Sequence, residues 1–178
     1  MNVLDLSRLD DLIASKRSAD REEVYADDIA EHCRSILAQT KNELETQLQL
    51  LALKAVRDGD IFHEFREDAL ESSEFKDKIQ YNAVVRLRGN SLSACWVKNV
   101  YRQKGESGPK TFSSHVPKGK DHGYLMSKFN KAGKDELGYI ELVEGRFVHI
   151  RKAAESLRKA RAALAEYERD LDKIFETD

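Results

Sequence analysis

Ile140, Val143, Phe147, Ile150, Ala154, Leu157, Arg161, Leu164, Glu168, Leu171 and Phe175 follow one another at alternating spacings of three and four. That is a heptad seam, interrupted only by the polar Arg161 and Glu168. A flanking row, Ala153, Ala160, Tyr167 and Ile174, widens the apolar stripe. No proline occurs after Pro117, so nothing breaks the pattern. The spacing predicts one helix from about Lys134 to Phe175, roughly 60 Å long at 1.5 Å per residue. A helix of that length is not stable in water unless its apolar face is covered.

The chain contains a candidate cover. Ile29, Cys33, Ile36, Thr40, Leu44, Leu48, Leu51 and Ala55 recur every three or four residues, which marks a helical face. Asp27 or Asp28 can cap its start, and Gly59 after Asp58 is a stop signal. The simplest solution packs the two helices antiparallel. A homodimer through the same seam is the alternative. Residues 60–79 are acidic, with a short helix expected over about Ile61–Leu70. Leu6, Leu9, Leu12 and Ile13 suggest a short amphipathic helix near the start of the chain.

Between the helices the periodicity changes to two. Tyr81, Ala83, Val85 and Leu87 point one way, and Val84, Arg86 and Arg88 the other. Gly89-Asn90 is a two-residue hairpin signal, with glycine placed for a type II′ turn. Folding about it pairs Leu87 with Leu92, Val85 with Ala94 and Ala83 with Trp96. The opposite face pairs Arg88 with Ser91 and Arg86 with Ser93. The second strand is expected to reach Val100 or Tyr101. Residues 102–110 read as a flexible connector, 111–116 as a third strand stopped by Pro117, and 118–123 as a basic turn. Residues 124–129 read as a short helix or an irregular segment.

The expected fold is therefore α+β: a long antiparallel helical hairpin with an inserted small antiparallel three-stranded sheet. Residues 1–27 would be an N-terminal helical extension. Residues 28–178 would be a single domain, with a helical arm at 28–58, a β module at 80–133 and the long C-terminal helix at 134–176.

Charge is segregated along this frame. Residues 80–133 hold ten Lys/Arg and only two acids, Glu106 and Asp121, in a chain of formal net charge −2. Aromatic residues (Trp96, Tyr101, Phe112, Tyr124, Phe129) interleave with the cations. A basic, aromatic-bearing sheet with glycine-containing turns suits phosphate backbone contact. The hairpin register assigns Trp96 to the core and leaves Arg86, Arg88, Lys98, Arg102 and the Lys118–Lys128 turn as the contact surface. Base contacts are available to Asn99, Arg102 or Lys128. Arg151, the cation of the last helix nearest the sheet, would extend this surface; Arg158 and its neighbours read as partners of helix acids such as Glu155.

Catalytic and metal readings find little support. His115 and His122 lie seven apart around Lys118, Lys120 and Asp121, a spacing that matches no zinc motif. Ser113 and Ser114 lack a nucleophile elbow. The two cysteines, Cys33 and Cys95, read as reduced thiols. No metal, cofactor or catalytic residue is expected. The first residues show no signal-peptide pattern, and no run of eighteen apolar residues occurs. A cytoplasmic protein without a membrane partner is the expectation.

From Trp96 onward the chain carries Trp96, Asn99, Thr111-Phe112-Ser113, Lys118-Gly119, Tyr124 and Met126-Ser127-Lys128-Phe129. Glu144, Phe147, Ile150-Arg151-Lys152 and Tyr167 follow. This order resembles the MobI-type conjugative transfer proteins of integrative conjugative elements and related plasmids, over roughly residues 80–171. The resemblance implies a non-enzymatic relaxosome accessory factor. Such a factor binds double-stranded DNA at the origin of transfer and assists a relaxase. The expected contact residues are Arg86, Arg88, Lys98, Asn99, Arg102, Lys118, Lys120, His122, Tyr124, Lys128 and Arg151. An RNA-binding module and a coiled-coil interaction factor that binds no nucleic acid are the competing readings.

Overall fold

The computed structural model describes residues 13–14, 26–71, 79–105, 108–119 and 121–175, with side chains at 13–14 and from residue 28 onward except at 100–112. Two long helices, α1 (Ala26–Glu71) and α2 (Lys134–Phe175), enclose in sequence three strands, β1 (Tyr81–Arg88), β2 (Ser91–Gly105) and β3 (Gly108–His115). The fold is α+β, as the periodicities predict. The expected N-terminal helix lies outside the described residues, apart from residues 13–14, which are helical. The chain divides into two compact units, residues 46–158 and residues 1–45 with 159–178.

In the unit formed by residues 1–45 and 159–178, α1 and α2 run antiparallel. Arg34 lies 3.6 Å from Asp172, and Lys41 pairs with Glu168. Glu168 is one of the two polar interruptions of the seam, and Lys41 gives it a partner across the helix pair. Both ion pairs are well solvated, so each contributes about 0–1 kcal/mol. Ala30, Leu37 and Leu171 supply the buried apolar contacts. Tyr167 and Ile174 of the flanking row are exposed, so the apolar stripe is narrower here than the sequence suggests.

The unit of residues 46–158 holds the main core. The hairpin register is the expected one throughout: Leu87↔Leu92, Val85↔Ala94 and Ala83↔Trp96 on one face, Arg88↔Ser91 and Arg86↔Ser93 on the other. Gly89 has φ 51°, and no other residue with positive φ is found among those described. Only the first central turn residue is left-handed, as a type II′ turn requires. Trp96 is fully buried. It meets the Phe62 and Phe129 rings edge-on, at centroid distances of 5.0 and 5.6 Å. The seam residues Ile140, Val143, Phe147 and Ile150 are buried in this same core, so the chain covers that part of its own seam.

Two boundaries differ from expectation. First, α1 does not stop at Asp58-Gly59; it continues through the short helix expected at Ile61–Leu70 and ends at Glu71. Gly59 lies inside this continuous helix: a Cβ there would lie 3.7 Å from Phe147 Cζ and 3.9 Å from Ala83 Cβ. Both are ordinary contact distances, so the site has room for a methyl group and little more. Asp58, 2% exposed, is held by Lys54 one turn earlier and by Arg146 Nη1 at 3.0 Å. Second, residues 102–110 are not all connector. β2 and β3 remain paired to Gly105↔Gly108, with a register shift between Arg102 and Gly105. β3 is an edge strand, which is where Pro109 is tolerated.

Candidate nucleic-acid interface

Alternation along β1 and β2 decides which basic side chains share a surface. Arg86 and Arg88 are exposed on the face away from Trp96, directly across from Ser93 and Ser91. Asn99 has the same parity and accepts a hydrogen bond from Ser113 Oγ at 3.1 Å. Lys98 does not belong with them. It pairs with Tyr81, on the side of Trp96, and its ammonium lies 6.0 Å from the Tyr81 ring centroid. The expected surface is therefore split by the pleat.

Ser91 and Ser93 also line a cleft of about 400 Å³. β3 leaves β2 at His115↔Val97, after which Val116 N–H donates to Trp96 O at 2.9 Å. Beyond that point β2 has an open edge from Ser91 to Cys95. The chain from Pro117 to Tyr124 and the α2 segment around Arg151–Arg158 flank this edge. Lys118, His115, His122 and Arg158 line the resulting cleft. The Cys95 Sγ is 3.8 Å from His115 Nδ1. Arg158 makes two hydrogen bonds to Glu155, both 2.7 Å, the intrahelical pairing expected from the sequence.

The cleft wall is fixed by a buried ion pair. Glu144 and Arg151 are 3% and 7% exposed and sit two turns apart on α2. Glu144 Oε2 accepts from Arg151 Nη2 at 2.7 Å and from Trp96 Nε1 at 2.9 Å. Its Oε1 accepts from Arg151 Nη1 at 2.9 Å and from Tyr124 N–H at 2.8 Å. Arg151 also donates from Nε to Ala94 O at 2.8 Å and from Nη1 to His122 O. Its guanidinium lies 4.9 Å from the Tyr124 ring centroid. A buried pair this well hydrogen-bonded ties α2 to β2 and to the loop between β3 and the 3₁₀ turn Met126–Phe129.

Arg151 and Tyr124 were both expected on the contact surface. Instead both are buried, and they shape the loop that carries Lys118 and His122. Burial is the main cause raising the Tyr124 phenol above its usual pKa, with the neighbouring Cys95 adding to it. Gly119 N–H donates to Gly123 O at 3.2 Å, closing that loop on itself. A Cβ on Gly123 would lie 3.4 Å from Val148 Cγ2, so the loop rests against α2. Lys118 and Lys128 are exposed and His122 is half-buried. Lys128 sits in the 3₁₀ turn, away from the residues lining the cleft. Lys120 and the Arg102 side chain lie outside the described residues.

The sequence matches a known family over the hairpin, the cleft and most of α2. The sequence model described as MobI protein matches residues 51–165. The chain belongs to the MobI family. Comparisons with curated proteins and with solved structures each give no match. The matched residues of this MobI protein include the hairpin, the cleft and the Glu144–Arg151 pair. Membership gives the chain an accessory role in conjugative transfer.

In the sequence Glu144 belongs to the family resemblance without a role of its own, and nothing there points to the Cys95–His115 contact. Both depend on tertiary partners far along the chain, which no local spacing reveals. Among the described residues no group of three His, Cys, Asp or Glu could hold a metal ion. Both cysteines are free. Among the same residues no helix is long and apolar enough to cross a membrane.

Proposed function

We propose that this MobI protein is a non-enzymatic, cytoplasmic factor that binds double-stranded DNA at the origin of transfer and assists the relaxase there. The observation that carries this reading is the pair of exposed arginines on the hairpin's outer face together with the cations of the adjoining cleft. Arg86 and Arg88 stand across the hairpin from Ser93 and Ser91, and those serines lead into the cleft bearing Lys118, His122 and Arg158. Arginine and lysine side chains beside hydroxyls and open-edge amides suit phosphate contacts that position a protein on a duplex.

The buried Glu144–Arg151 pair holds the loop, so the cations are presented with little ordering required on binding. Sequence preference would come from the few residues able to reach base edges, Asn99 and Lys128 among them. The test is a mobility-shift assay with origin-of-transfer duplex and an unrelated duplex of equal length. Retardation of both, stronger for the origin duplex, supports the reading. Retardation of neither at moderate salt removes it.

A further inference from the structure

We infer that the cleft between the open edge of β2 and α2 is a pocket for a phosphate group. The inference rests on the nucleic-acid reading only for the source of that phosphate.

Its charge is the first argument. The one acid among the lining residues is Glu155, and the buried acid behind the wall is Glu144; the exposed Asp121, in the loop that carries Lys118, does not line the cleft. Glu155 is bound by Arg158 through two hydrogen bonds, and Glu144 by Arg151 through two more. Lys118 is different: among the described residues it forms no ion pair and has no hydrogen-bond partner. The His122 imidazole likewise has none, its backbone carbonyl being the group that Arg151 binds. The cleft therefore has an unmatched cation on its rim, and an anion is the complementary ligand.

The donor set is the second argument. In an antiparallel strand the N–H and C=O of one residue point to the same side. Trp96 O and Ala94 O both point toward the β3 side, where they accept from Val116 N–H and Arg151 Nε. Leu92 and Ala94 share that parity, so their N–H groups face the stretch that β3 has left uncovered. Ser91 and Ser93 add two hydroxyls. Amides, hydroxyls, an ammonium and an imidazole converging in one cleft form a phosphate-binding set. A carboxylate ligand would leave part of it unused, since phosphate offers more acceptor oxygens.

Size is the third. About 400 Å³ falls within the ~300–1,000 Å³ range of small-ligand clefts. It admits a phosphate together with the sugar that carries it.

The experiment is an NMR titration of the whole protein with inorganic phosphate, against sodium chloride at matched ionic strength. Saturable shifts at Ser91–Cys95, His115, Lys118 and His122, absent with chloride, support the pocket. Lys118→Ala, an exposed substitution that leaves the core untouched, should weaken phosphate binding at least about fivefold. Lys118→Arg should retain most of it. Absence of saturable shifts, or equal binding in Lys118→Ala and the unaltered protein, overturns the proposal.

Displacement of the phosphate by oligonucleotides then identifies the source. Stronger displacement by a 5′-phosphorylated strand than by its 5′-hydroxyl twin supports a strand-end phosphate. Equal displacement supports a backbone phosphate. Displacement by neither overturns the nucleic-acid source. Phosphate binding without duplex binding would sink the DNA reading alone, and duplex binding without phosphate binding would sink the pocket alone.

Discussion

Glu144 and Arg151, seven residues apart on α2, form a buried pair with 2.7 Å between Oε2 and Nη2, and together they hold four groups from outside the helix. Those groups are Trp96 Nε1, Tyr124 N–H, Ala94 O and His122 O. The pair is the joint between the helix, the central strand and the loop that bears Lys118.

Breaking the pair leaves an uncompensated buried charge. Glu144→Gln should destabilise the protein by about 3–5 kcal/mol, read as a lower midpoint in urea unfolding. The double variant Glu144→Leu with Arg151→Met should cost less than the two single changes added together, because no lone charge remains. It should still not be neutral, since the four groups lose their partners at ~1–3 kcal/mol each. A fully stable double variant would show that the pair has no organising role.

Gly59 gives a second test. If α1 ended there in a left-handed cap, alanine would be destabilising. In a continuous helix alanine is favoured over glycine by roughly 0.5–1 kcal/mol. The positions a Cβ would meet, 3.7 and 3.9 Å away, are ordinary contact distances. Gly59→Ala should therefore raise the unfolding midpoint. Gly59→Leu should lower it, because its longer side chain must displace Phe147 or Ala83.

Glu136 sets a pH dependence. The residue is 3% exposed, and its Oε1 accepts the N–H groups of Gln80 and Tyr81 at 3.1 and 2.9 Å. Burial raises its pKa above the ordinary carboxylate value, against the lowering effect of those hydrogen bonds. The folded state thus holds this proton more tightly than the unfolded chain does. Stability from this residue is full below the ordinary carboxylate range and falls as pH rises through the raised value. Glu136→Gln keeps an oxygen for both N–H groups and does not titrate. Its stability relative to the unaltered protein should improve as pH rises above the ordinary carboxylate range, measured by urea unfolding at each pH. A difference that stays constant would contradict the assignment.

The two faces of the hairpin predict different mutant phenotypes. Lys98 lies over Tyr81 on the core side, whereas Arg86 and Arg88 are on the other. Lys98→Ala should leave duplex affinity within about twofold. Arg86→Ala should weaken it several-fold, as loss of a phosphate contact does. Fluorescence anisotropy with a labelled duplex separates the two.

This partition was already legible in the sequence. Lys98 has the parity of Trp96 in β2, so the register that buries Trp96 also removes Lys98 from the arginine face. The hairpin could be read because strand alternation and the Gly89 turn agree on a single register. The α2 seam was legible for the same kind of reason. Gly59 misled because a stop signal and a glycine inside a continuous helix look alike until the elements packed around it are known. Glu144 and Arg151 were opaque as a pair: each is one charge on a highly charged helix. Their meaning comes from Trp96 and Ala94, some fifty residues away in the chain.

The central claim is that exposed cations on the outer sheet face and cleft rim bind the phosphate backbone of duplex DNA. Its most direct test is the salt dependence of duplex affinity for the unaltered protein and for the triple variant Arg86→Ala, Arg88→Ala, Lys118→Ala. With about five phosphates neutralised, log K against log salt should slope near −4 to −5. The triple variant should lose roughly one unit of slope per residue removed. A flat salt response, or an unchanged slope in the triple variant, would contradict the account.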